Sequence, residues 1–102
     1  MINMKLWVDD VRPAPEGYVW CKSVAQAVGW IHAYERNREI IELIDIDHDA
    51  GEYVALGGDY IKLLDWLEKT GRNYPIRIHS MNPVGVENMR RIIQKNGWTE
   101  VR

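Results

Sequence analysis

The chain has 102 residues, 46% hydrophobic and 27% charged, with a net charge of −2. That describes one domain of ordinary globular composition, spanning 1–102, large enough to bury a core without metal or disulfide staples. It excludes a broad basic face for duplex nucleic acid, an internal disulfide (Cys21 stands alone) and a membrane span, since no apolar run nears ~20 residues. The start of the sequence lacks the apolar stretch of a secretory signal, so the expected setting is a reducing cytoplasm.

Residues 4–8 read as a short strand, and Arg12 to Gly17 as a loop whose two prolines restrict φ and favour extension. Tyr18 to Cys21 reads as a second strand. Ser23-Val24-Ala25-Gln26 is a capping-box pattern that opens a helix with Val24, Ala27, Val28, Ile31 and Tyr34 on its apolar face. Residues 40–47 form a third strand, nearly continuous in apolar residues, as expected of a strand covered on both faces. Ala50 to Gly58 reads as a loop. Asp59 is placed to cap a helix over 60–69, with Gly71 just past its end. Residues 76–80 read as the fourth strand. Asn82-Pro83 then starts a helix, with an amide cap and proline at the first helical position, and Asn96-Gly97 ends it. Trp98 to Val101 fits a short fifth strand.

Strands alternating with helices predict a three-layer α/β fold, with a mainly parallel sheet of four or five strands and about three helices. The first connection is short for a crossover. It predicts either a hairpin or, preferred here, a parallel pair whose helix is replaced by a loop. No helix is expected after the last strand. Five tryptophans and five tyrosines with no phenylalanine suit half-buried packing with polar tips near the surface. A ring stacked on a base or sugar is the sharper alternative, and the sequence selects no particular ring for it.

The chemistry-bearing residues gather where strands end. Lys5-Leu6-Trp7-Val8 runs into Asp9-Asp10, the third strand into Asp47-His48-Asp49, and the fourth into His79-Ser80-Met81-Asn82. In an open parallel sheet the carboxyl ends of neighbouring strands share one edge, where ligands bind. Asp9 and Asp10 repel each other unless a cation offsets them, and hard divalent ions take carboxylate oxygens. Taken alone, the pair equally fits a solvated acidic loop. Arg12 suits a phosphate oxygen or simple neutralisation of those acids. Asp47 suits a metal ligand or a nucleophile, His48 a general acid or base, and Asp49 a further ligand, while a turn with a surface histidine is the plainer reading. His79 divides evenly between an acid–base group and a core histidine. Ser80 can donate to a phosphoryl oxygen. Asn82 serves first as a helix cap, at a helix terminus suited to phosphate. Asp45 lies two residues before Asp47, inside a buried strand, and requires a partner that the sequence does not name.

Together these motifs resemble the cyclic-phosphate processing receiver domain family, a divergent branch of the response-regulator receivers. They are Leu6-Trp7-Val8-Asp9-Asp10-Val11-Arg12-Pro13-Ala14-Pro15, Asp47-His48-Asp49-Ala50-Gly51 and His79-Ser80-Met81-Asn82-Pro83-Val84-Gly85. The resemblance covers essentially the whole chain. It implies a receiver-like (flavodoxin-like) fold with an acidic pocket, and action on cyclic phosphates of nucleotides or RNA ends. On this reading Asp9, Asp10 and Asp47, with Asp49, would hold Mg²⁺ or Mn²⁺. His48, His79 and Asp47 would be catalytic, and Arg12, Ser80 and Asn82 would bind phosphate. The partner would be a phosphorylated small molecule, a nucleotide or an RNA end. The Lys-Pro pair that ordinary receivers carry after their fifth strand does not occur here. This counts against a phosphorylation switch at Asp47. That signalling role, and a catalytically silent metal- or nucleotide-binding module, are the alternatives.

Overall fold

A computed structural model describes residues 3–102. Strands β1 (Asn3–Val8), β2 (Val19–Cys21), β3 (Ile40–Ile46) and β4 (Ile76–Ile78) form one parallel sheet in the order β2-β1-β3-β4. Helices α1 (Val24–Arg36), α2 (Ile61–Lys69) and α3 (Pro83–Asn96) follow β2, β3 and β4. The result is a receiver-like α/β fold. Among the described residues no helix is long and apolar enough to cross a membrane.

The caps of α1 and α3 are as the sequence predicts. The Ser23 side chain accepts from the N–H of Gln26, and the Asn82 side chain accepts from that of Gly85, with Pro83 opening the helix. Helix α2 begins differently. Tyr60, already in helical conformation, precedes it without a side-chain cap, and Asp59 Oδ1 instead accepts the N–H of Ala50 at 3.0 Å. Asp59 therefore ties down the segment leaving β3. That segment, expected as loop, contains a 3-10 helix over Gly51–Leu56. Two further boundaries move. β4 ends at Ile78, and the expected fifth strand is reduced to one parallel bridge between Ile76 and Glu100.

The layering follows from the strand order. β2→α1→β3 and β3→α2→β4 both step in one direction across the sheet, so right-handed crossovers place both helices on the same face. Consistently, α1 packs on α2 and α2 on α3. Leu6, Val8, Cys21, Ile44, Ile46 and Ile76 meet Ala27, Ile31, Leu63, Leu64, Leu67, Met89 and Ile93 in a single core between that face and the helices. The step from β1 to β2 runs the other way. Its connection is an extended loop, and it lies against the second face, where Arg12 C=O accepts the Trp7 indole N–H at 2.8 Å and Tyr18 meets the Trp7 ring edge-on. The alternation of strand side chains puts Trp7, Trp20, Asp45 and Arg77 in one register row on this second face. Asp45 is thus buried in a strand without lying in the apolar core.

Candidate functional site

The pairing ladder continues one residue past each strand. Asp9 N–H donates to Cys21 C=O, Asp47 N–H to Val8 C=O, and His79 N–H to Ile46 C=O, at 3.1, 2.9 and 2.9 Å. Three residues from distant parts of the sequence are therefore fixed by backbone at the same level of the sheet edge. One ligand atom each from Asp9, Asp47 and His79 lies within 4.8 Å of the others.

Asp9 is fully buried. Its Oδ1 accepts the N–H groups of Val11 and Arg12 at 3.0 and 2.9 Å, closing the turn that starts the loop, and its Oδ2 lies 2.9 Å from His79 Nε2. Burial opposes ionisation of this carboxyl, but the two backbone donors and the imidazole prevail and hold its pKa below the ordinary value.

His79 is clamped. Nδ1 lies 2.7 Å from Asp45 Oδ1, Nε2 faces Asp9, and the ring stacks on Trp7 with centroids 3.8 Å apart and planes 4° from parallel. Burial pulls the imidazole pKa down, and the hydrogen bonds and charges of Asp45 and Asp9 outweigh it, so the net direction is up. Asp45 also meets Arg77 at 3.4 Å, which supplies the partners its burial demands.

Asp10 stands beside the cluster but outside the set of three. Gly51, at φ +55°, presses so closely on the Asp10 carboxylate that a Cβ there would overlap Oδ2. Burial, then the charges of Asp9 and Asp47, raise the Asp10 pKa against the pull of a backbone hydrogen bond. Asp47 Oδ1 accepts the N–H of His48 at 2.7 Å.

His48 and Asp49 form a second group. His48 Nδ1 lies 2.9 Å from Asp49 Oδ1, and Asn82 Nδ2 reaches Asp49 Oδ2 at 3.5 Å. The His48 ring packs against Gly85 so tightly that a Cβ there would lie 2.5 Å from its Cγ. Asp49, expected among the metal ligands, thus faces His48 and solvent, with its side chain 60% exposed. Arg12 Nη1 donates to the His79 carbonyl at 3.0 Å, bringing the guanidinium to the site, and Ser80 Oγ accepts the N–H of Asn82 at 3.1 Å.

Two carboxylates and an imidazole make a donor set that suits a divalent cation. Of the nine residues singled out from the sequence, Asp9, Asp47 and His79 come together directly. Asp10 and Arg12 flank them, and His48, Asp49, Ser80 and Asn82 form the adjoining rim at the start of α3. Sequence reasoning did not find the parts played by Trp7 and Gly85. Trp7 carried one usable signal: it lies two residues before Asp9 and so on the same face.

Comparisons with curated proteins and with solved structures find no match. A family model does match, over residues 4–95, and its description is cyclic-phosphate processing receiver domain. With this match over most of its length, the chain belongs to the cyclic-phosphate processing receiver domain family.

Proposed function

We propose that this domain binds a divalent cation at its acidic sheet edge and hydrolyses a cyclic phosphoester there. The observation that carries the reading is the convergence of Asp9, Asp47 and His79 from three strand ends, with ligand atoms within 4.8 Å. Asp9 and Asp47 would hold the ion, and Asp10 would add negative charge beside it. When bound, the ion supplies polarisation of the phosphoryl group and a more acidic water.

The protein groups divide the remaining work. Asp49 accepts from Nδ1 of His48, which leaves Nε2 as the nitrogen that exchanges a proton with water or with the departing hydroxyl. Hydrolysis breaks one ester P–O bond of the ring. Water supplies the new oxygen on phosphorus and the proton on the leaving oxygen. Arg12, the Ser80 hydroxyl and the N-terminus of α3 offer donors to phosphoryl oxygens. Asn82 is already engaged, by Gly85 through Oδ1 and by Asp49 through Nδ2, and acts by holding that rim.

Purified protein incubated with 2′,3′- and 3′,5′-cyclic nucleotides, with Mn²⁺, with Mg²⁺ and with EDTA, tests this. Turnover that needs the cation and falls at least a hundredfold in His48→Ala is expected. No turnover above that variant on any cyclic phosphoester would end the enzymatic reading. An acid-labile phosphoryl adduct on Asp47 after acetyl phosphate would favour a signalling role instead.

A further inference from the structure

We infer that His79 is itself a metal ligand, oriented by Asp45, and that the site is built for a nitrogen-accepting ion such as Mn²⁺, Co²⁺ or Zn²⁺ rather than for Mg²⁺. The inference rests on the cation-binding part of the function proposed above and adds the identity of the ligand set.

The geometry is that of a carboxylate–histidine–metal arrangement, in which a second carboxylate holds the far ring nitrogen and fixes both the tautomer and the direction of the near one. Asp45 Oδ1 sits 2.7 Å from Nδ1, so Nε2 is the nitrogen turned toward Asp9 and Asp47. Nε2 and Asp9 Oδ2 are 2.9 Å apart. Two neighbouring ligands of an octahedral ion at ~2.1 Å stand about 3.0 Å apart, so this pair already has ligand spacing.

Three further contacts hold the imidazole still. Trp7 stacks flat on it, the Trp7 indole is tied to Arg12 C=O, and Arg12 Nη1 is tied to the His79 carbonyl. A ring held in its plane, at its far nitrogen and at its backbone is preorganised for ligation. A surface acid–base histidine needs none of this, whereas His48, with one carboxylate partner, keeps its second nitrogen for proton transfer.

Charge makes the same distinction. Asp9, Asp45 and Asp47 surround the ring. A cation between Nε2, Asp9 and Asp47 would offset this negative charge, while Asp45 holds the Nδ1 side of the ring. Imidazole nitrogen suits Mn²⁺, Co²⁺ and Zn²⁺ better than Mg²⁺, which prefers oxygen and water.

The test uses the chelator-treated full chain loaded with Mn²⁺ alone. Pulsed EPR of the wild type should show ¹⁴N coupling from one imidazole, absent in His79→Asn. By calorimetry, His79→Asn should weaken Mn²⁺ and Co²⁺ far more than Mg²⁺. Asp45→Asn should keep the nitrogen signal while weakening Mn²⁺ about 10- to 100-fold. An oxygen-only spectrum in the wild type, or Mn²⁺ affinity unchanged by His79→Asn, overturns the inference. The wild-type spectrum decides it even if a variant fails to fold. Cation-dependent turnover together with an oxygen-only spectrum would sink the ligand assignment and leave the proposed function standing. A nitrogen signal without turnover on any cyclic phosphoester would do the reverse.

Discussion

The imidazole of His79 lies flat on the indole of Trp7, 3.8 Å between centroids and 4° between planes, although the two residues stand 72 positions apart in the sequence. The stack joins β1 to the end of β4 across β3, and the two carboxylates of the clamp come from the residue just past β1, Asp9, and from within β3, Asp45. Replacing Trp7 by leucine removes the stack and the hydrogen bond to Arg12. An aromatic pair contributes about 0.5–1.5 kcal/mol beyond its buried area and a hydrogen bond about 1 kcal/mol. Trp7→Leu should therefore cost roughly 1–3 kcal/mol by urea denaturation. It should also broaden or shift the His79 ring resonances while leaving those of His48 in place.

Gly85 sits in the first turn of α3, where alanine would ordinarily be neutral or helpful, since glycine inside a helix costs about 0.5–1 kcal/mol relative to alanine. Here the added methyl would lie 2.5 Å from His48 Cγ. The helix is anchored by Met89 and Ile93, so the side chain that yields is His48. Gly85→Ala should leave the unfolding midpoint within about 1 kcal/mol of wild type and shift the His48 resonances. On the proposed function it should lower turnover at least tenfold. A variant with unchanged His48 shifts and unchanged turnover would show that the close approach has no functional consequence.

The fold was legible where local chemistry and periodicity agreed. Ser23 and Asn82 cap the helices they precede, and the parallel pairing of β1 with β2 follows from an extended, proline-bearing loop. Which face each helix covers was not legible, because it depends on strand order. Only once β2 and β4 stand at opposite edges do handed crossovers put all three helices on one side. Asp59 misled for a local reason. Its carboxylate fits a helix cap by sequence, but the backbone of Ala50, nine positions away in the returning loop, claims it. The site divides in the same way. That strand ends would converge followed from parallel topology. That Asp45 would take Nδ1 of His79 did not, because the residues lie 34 positions apart and the contact depends on the register that sets Asp45 beside Arg77, two residues before His79.

The clamp on His79 predicts a pH dependence with a definite sign. Its pKa is raised on folding, so the stability it contributes is fully present below the unfolded value of about 6.5 and is lost as pH rises through the higher folded value. Asp9 behaves oppositely. Its pKa is lowered, so its contribution is present above about 3.9 and is lost as pH falls through the folded value. In chelator-treated protein, urea midpoints should decline on the alkaline side of pH 6.5, and His79→Gln should flatten that decline. An equally steep alkaline limb in the variant would assign it to some other group.

Asp10 carries the opposite strain. Burial, then the charges of Asp9 and Asp47, raise its pKa, so the ionised carboxylate is less favourable in the folded than in the unfolded protein. Removing that charge relieves the chelator-treated fold, and Asp10→Asn should raise its unfolding midpoint at pH 7. The gain should shrink as pH falls toward the carboxylate range, where the wild-type residue takes up a proton. With a divalent cation the order reverses. An ion that binds only the folded state stabilises it by RT ln(1 + [L]/Kd), and a site with one negative charge fewer has a larger Kd. Wild type should therefore gain more from millimolar Mn²⁺ than Asp10→Asn does, by about 1.4 kcal/mol for each tenfold loss of affinity at saturating ion. Thermal or urea midpoints of both proteins, with EDTA and with Mn²⁺, measure the two effects together. If Asp10→Asn destabilises the chelator-treated protein, then Asp10 is held by structural hydrogen bonds and its charge is not kept for a cation.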